Sequence, residues 1–94
     1  MLEVKFTSKF KKNYKAVKKQ PYYDENEFEY VLGELMAQRP LAPKYHDHEL
    51  NGKRAGIKKC RECHISPDWL LVYKVDKNQL VLYLIETGTH SDLF

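Results

Sequence analysis

Ninety-four residues hold one domain and one small core, since a chain of this length buries only about 60–65% of its unfolded surface. Hydrophobic residues at 43% and charged residues at 31% are the balance of a folded globular chain, not of a disordered one. No run approaches the roughly 18–20 apolar residues of a membrane helix, and the charge-dotted stretch from Met1 to Lys19 lacks the apolar centre of a signal peptide. The expectation is a single domain over residues 1–94, working in the cytoplasm without a membrane, where its two cysteines stay reduced.

In chain order, Leu2 to Phe6 alternates apolar with charged residues and reads as a strand. Thr7 or Ser8 caps a helix whose stripe is Phe10, Tyr14 and Val17, and Pro21 ends it. Asp24, with Glu27 three residues on, opens a second helix with Phe28, Val31, Leu32 and Leu35 on its buried side. Pro40 stops it. Leu41 to Gly56 shows no periodicity and is expected to be loop. Three apolar runs follow, Ile57–Ile65, Trp69–Val75 and Leu80–Glu86, joined by the turn strings Ser66-Pro67-Asp68 and Asp76-Lys77-Asn78. The predicted class is α+β: an N-terminal strand, two helices, then a three-stranded antiparallel meander. The helices cover one face of the sheet and leave the other for a ligand.

Charge is segregated along the chain. Val4 to Tyr23 holds seven lysines and no acid, and Asp24 to Glu34 holds five acids and no base. Lys53, Arg54, Lys58, Lys59 and Arg61 form a second basic block. Two such blocks suit a polyanion, either nucleic acid or an acidic protein, and suit equally well a solvated helix face with a basic loop.

Cys60-Arg61-Glu62-Cys63-His64 has the spacing of c-type haem attachment, but no methionine follows it to serve as an axial ligand. In a strand, residues three apart face opposite sides, which also argues against Cys60 and Cys63 sharing a zinc ion with His46 and His48. No cofactor or metal is expected. The histidines carry more information: His46, His48, His64 and His90 come from three separate elements, each near an acid. Gathered on one open face they make a metal-free acid–base site, with Arg61 or Lys58 to hold a phosphate.

Three strings are specific jointly: Asp47-His48-Glu49-Leu50-Asn51-Gly52, then Arg61-Glu62-Cys63-His64-Ile65-Ser66-Pro67-Asp68-Trp69-Leu70-Leu71-Val72-Tyr73-Lys74, and Thr87-Gly88-Thr89-His90-Ser91-Asp92-Leu93-Phe94. Together they resemble the signature of the YafQ branch of the RelE-type toxins, the endoribonuclease halves of bacterial type II toxin–antitoxin pairs. The resemblance implies a RelE-like microbial RNase fold and an mRNA interferase that cuts messages on the ribosome. It also implies a DinJ/RelB-like antitoxin as partner, with operator DNA reached only through that antitoxin. By the resemblance, His48, His64, Asp68 and His90 match the catalytic set. His90 is the general acid, Asp68 or His48 is the base or orienter, and His64 contacts the phosphate. Trp69 and Phe94 match positions beside the RNA, although the Trp69 ring suits a core equally well.

Two departures stand out. An arginine that commonly binds phosphate in the family is replaced by Glu86, and the stretch from Gly52 to His64 runs about three residues longer than the family spacing. A carboxylate at position 86 implies a rival reading: a weakened or inactive toxin that now only binds antitoxin or RNA.

Overall fold

The alternation at the N-terminus produces β1 (Glu3–Phe6), preceded by Leu2, which is buried to 1% exposure. Thr7 ends the strand and starts α1 (Ser8–Val17). Its hydroxyl accepts from the Phe10 amide at 3.0 Å and donates to the Ile85 carbonyl at 3.0 Å, tying the helix start to the last strand. Phe10 and Val17 are buried and Tyr14 is partly so, as the i, i+4, i+7 stripe requires. In α2 (Glu25–Met36) the Asp24 carboxylate accepts from the Glu27 amide at 3.1 Å. The Glu27 side chain does not return the bond; it accepts from the Tyr45 hydroxyl instead, so only half of a capping box forms.

All 94 residues are described in this computed structural model. The remaining strands are β2 (His48–Glu49), β3 (Lys53–Arg54), β4 (Ile57–Lys58), β5 (Arg61–Ser66), β6 (Trp69–Asp76) and β7 (Val81–Gly88), with a last short helix, α3 (His90–Leu93). The main sheet has five strands in the order β1-β7-β6-β5-β2. β5, β6 and β7 form the expected antiparallel meander, whereas β1 lies parallel to β7, making the sheet mixed.

Two expectations need correction. The segment from Leu41 to Gly56 is not all loop: it contains a 3-10 turn at Pro43–Tyr45, the edge strand β2, and β3. The apolar run from Ile57 to Ile65 is not one strand either. Lys59 adopts a positive φ of 58° and breaks it, and the turn at Ala55-Gly56 (φ 50° and 79°) folds Ile57–Lys58 back onto Lys53–Arg54 as a separate small hairpin. These short strands carry too few alternating residues for a period-two pattern to register.

One face of the sheet takes both helices. Leu2, Phe10, Val17, Phe28, Val31, Leu35, Cys63, Ile65, Trp69, Leu71, Tyr73, Leu82 and Leu84 bury together there. The other face is not left open, as the sequence suggests; it is partly roofed. Cys60, Val72 and Ile85 form a second small cluster, packed against Leu50, Ile57, Tyr83 and Leu93, which come from the β2–β3 segment, the hairpin, the sheet and α3. The two cysteines therefore sit in separate clusters on opposite sides, both fully buried and free.

Candidate active site

Strand alternation puts Glu62 and His64 on the roofed face, with Cys63 and Ile65 pointing to the helices. β2 pairs with β5 so that His48 lies opposite Glu62. One carboxylate oxygen, Glu62 Oε1, stands 3.6 Å from His48 Nε2 and 3.6 Å from His64 Nε2. Glu62 is only 5% exposed, while both imidazoles keep a solvent-facing side. The His48 ring is fixed from the other end, since its Nδ1 donates to the His46 carbonyl at 2.7 Å. His46, in left-handed conformation with φ 48°, tilts its ring onto His64 with centroids 5.2 Å apart. The cluster thus joins His46, His48, Glu62 and His64.

The second group lies on the far side of β6. Register places His64, Leu70 and Gly88 in one row across three strands, and His90 follows two residues after Gly88. The His64 and Gly88 positions are separated by two strand spacings, about 10 Å. A capping box holds α3: the Thr89 hydroxyl accepts from the Asp92 amide at 3.2 Å, and the Asp92 carboxylate accepts from the Thr89 amide at 3.0 Å. Gly88 has φ +153°, and a Cβ there would come within 3.1 Å of the Asp92 side chain, so a bare backbone is needed at this exit. His90 is exposed and stacks on Phe94 with ring centroids 5.2 Å apart. Asp68 projects from the β5–β6 turn at the same end of the sheet, exposed and without a hydrogen bond or ion pair to the rest of the fold.

Three expected site residues stand elsewhere. Trp69 has no surface for a substrate: it is fully buried, stacks on Phe28 at 5.9 Å, and donates from its indole N–H to the Thr87 hydroxyl at 2.7 Å. A core indole must bury its N–H against an acceptor, and Thr87 supplies one. Arg61 falls on the opposite side of β5 from Glu62 and His64. It is bound by Asp47, with Nη2–Oδ2 at 3.1 Å, and flanked by Glu49 at 3.6 Å. That pairing, chiefly the Asp47 hydrogen bond, raises the Arg61 pKa further. Asp47 also accepts from Tyr73, whose phenol is pushed up by burial first and by this bond second. Lys58 is exposed on β4. With Lys53, Lys59, Arg61 and Lys77 it lines a cleft of about 770 Å³ that does not include the histidines.

Glu86 holds a surprise. It is 1% exposed and lies in the row Glu62–Val72–Glu86, on the histidine-bearing face. Lys9 of α1 and Arg54 of β3 both contact it, Arg54 Nε reaching Oε1 at 2.6 Å. Arg54 further donates from Nη2 to the Leu93 carbonyl at 2.6 Å, and its guanidinium carbon lies 4.3 Å from the Phe94 ring centre. The carboxylate is not presented bare to the site.

Sequence reasoning passed over Glu62 as a site residue, and it passed over Lys9 and Arg54 as partners of Glu86. Glu62 had a signal, being two residues before His64 in a strand and so on the same face. Arg54 had none, because its approach depends on the turn at Ala55-Gly56 that folds the hairpin back and on the break at Lys59 that frees it from β5.

Residues 2–94 match the family described as bacterial toxin of type II toxin–antitoxin system, YafQ. The chain belongs to this family. The mRNA interferase toxin YafQ of Escherichia coli K12 is 32% identical over 93 residues, covering 98% of this chain and 95% of that protein. Among solved structures, a metal-bound toxin from Helicobacter pylori is 42% identical with a TM-score of 0.86, each chain being fully covered. YafQ in the E. coli DinJ–YafQ complex is 32% identical with a TM-score of 0.84, with 100% of this chain and 99% of that one covered. The mixed α+β sheet is therefore the YafQ/RelE-like fold.

Proposed function

We propose that this YafQ-family toxin is an mRNA interferase that cleaves messages on the ribosome by metal-free acid–base catalysis, and that a DinJ-like antitoxin silences it. The observation that carries the reading is the arrangement of three imidazoles, His48, His64 and His90, at one end of the sheet. The buried Glu62 carboxylate stands 3.6 Å from both His48 and His64, and His90, stacked on Phe94, follows two residues after Gly88, which lies about two strand spacings from His64. The reaction needs such a division. A base removes the ribose 2′-hydroxyl proton, O2′ attacks the adjacent phosphorus, the P–O5′ bond breaks, and an acid protonates O5′. The products are a 2′,3′-cyclic phosphate and a free 5′-hydroxyl. His90, at the exposed start of α3, is assigned the acid. Asp68 or His48 takes the base role, and His64 faces the phosphate between them. Phe94 stacks on a base, an interaction worth about 1–3 kcal/mol.

The E. coli relative's complex with DinJ supports an antitoxin as the partner of this chain as well. The lysine-rich α1, exposed along most of its length, suits an acidic antitoxin segment or ribosomal RNA phosphate. The rival, binding-only reading rests on a carboxylate that repels RNA, and Glu86 is already neutralised by two cations.

The test is message cleavage in a purified translation system, comparing the wild-type chain with His90→Ala. The expected result is ribosome-dependent cutting that leaves cyclic-phosphate ends and falls at least 100-fold in the variant. Absence of cutting by the wild-type chain overturns the reading.

A further inference from the structure

We propose that Arg54 is the phosphate-binding cation of this site, delivered by the β3–β4 hairpin and aimed by Glu86. The claim deepens the interferase reading and rests on it. The family resemblance implies an arginine at position 86, and the chain has an acid there instead. The contacts resolve the conflict. Lys9, Glu86 and Arg54 form a cluster in which two cations meet one anion, so the local charge sums to +1, the same as a lone arginine. Glu86 is buried, whereas the Arg54 side chain retains 20% exposure, so the charge that reaches solvent is positive.

Geometry supports a ligand-binding role beyond neutralisation. A guanidinium has five N–H donors. In Arg54 the Nε–H goes to Glu86 and one Nη2–H to the Leu93 carbonyl, leaving three without a partner in the fold. The guanidinium carbon lies 4.3 Å from the centre of Phe94, the ring that stacks on His90. Arg54 thus lies within one aromatic ring of the assigned acid, its free donors on a fixed fork. Such a fork matches two phosphate oxygens. The added length between Gly52 and His64 acquires a purpose here, because it contains the hairpin that carries Arg54 over Val72 and Ile85 to reach the site.

The test uses the purified chain with four proteins: wild type, Arg54→Met, Arg54→Lys, and the double variant Arg54→Met/Glu86→Gln. The double variant removes the cation and the buried carboxylate together, so a merely structural role for Arg54 is relieved and a substrate role is not. Cleavage on ribosomes and affinity for a 2′-O-methylated, uncleavable RNA oligonucleotide are both measured, with urea stability alongside. The expected result is a loss of about 100-fold in cleavage for Arg54→Met. The double variant regains stability and stays equally impaired, and both variants bind the oligonucleotide at least tenfold more weakly. Arg54→Lys, with the charge but not the fork, falls between. A double variant that cuts and binds like wild type overturns the proposal and leaves Arg54 as a counter-ion for Glu86. If the wild-type chain cuts nothing, the interferase reading fails separately. The oligonucleotide affinities then decide the Arg54 assignment alone: a tenfold loss sustains it, and unchanged binding removes it.

Discussion

Glu86→Arg puts a third cation beside Lys9 and Arg54, at a position only 1% exposed. Two attractions become two repulsions. Lys9 is half exposed and can swing into water, so its share of the cost is small. Arg54 cannot leave freely: it is held by the Leu93 carbonyl and the Phe94 ring. Breaking a buried pair of this kind costs about 3–5 kcal/mol, and the residual exposure of Arg54 argues for the lower end. A domain of this size has about 5–14 kcal/mol in total. A loss of about 3 kcal/mol lowers Tm by about 12–24 °C. Thermal and urea unfolding followed by circular dichroism measure it directly, and the exchange Arg54→Glu/Glu86→Arg is expected to recover at least half of the loss. A single Glu86→Arg variant that melts within about 2 °C of wild type would refute the reasoning, because the carboxylate would then not be the anchor of the cation cluster.

Trp69→Phe removes the indole N–H bond to Thr87 and part of a core ring, and is expected to cost about 1.5–3 kcal/mol in urea unfolding while leaving cleavage per folded molecule unchanged. Lost activity with intact stability would return Trp69 to the substrate surface. High pH supplies a second check. Burial pushes the Cys63 thiol and the Tyr73 phenol up, and the bond to Glu27 followed by burial pushes Tyr45 up to about 12. All three are raised above their unfolded values, so each contribution is complete below the unfolded pKa and is lost as pH rises through the folded one. Stability is expected to hold against these groups up to about pH 8.5 and to decline progressively toward pH 12, less steeply in Tyr45→Phe. An identical alkaline slope in that variant would show that the Tyr45–Glu27 bond contributes nothing.

Periodicity by itself determined the larger elements of this protein. The stripes in α1 and α2, the cap residues Thr7 and Asp24, and the turn strings between β5, β6 and β7 are local signals, and local physics suffices to form what they encode. The family, too, was legible in three strings. The tertiary structure alone decided what depends on pairing between distant residues. The parallel contact of β1 with β7 joins the two ends of the chain. The hairpin at Lys53–Lys58 exists because Ala55 and Gly56 both turn to positive φ, and Lys59, also at positive φ, cuts it off from β5; none of these single-residue events has a periodic signature. Arg61 and His64 are three residues apart, and only their seating in a strand sends one to Asp47 and the other to Glu62. The meaning of Glu86 was the least accessible. A lone acid in a sequence reads as negative charge, whereas in the fold two cations arrive from α1 and β3 and leave the cluster around Glu86 with one net positive charge. Electrostatics sums over neighbours in space, and for Glu86 those neighbours are 32 and 77 residues away along the chain.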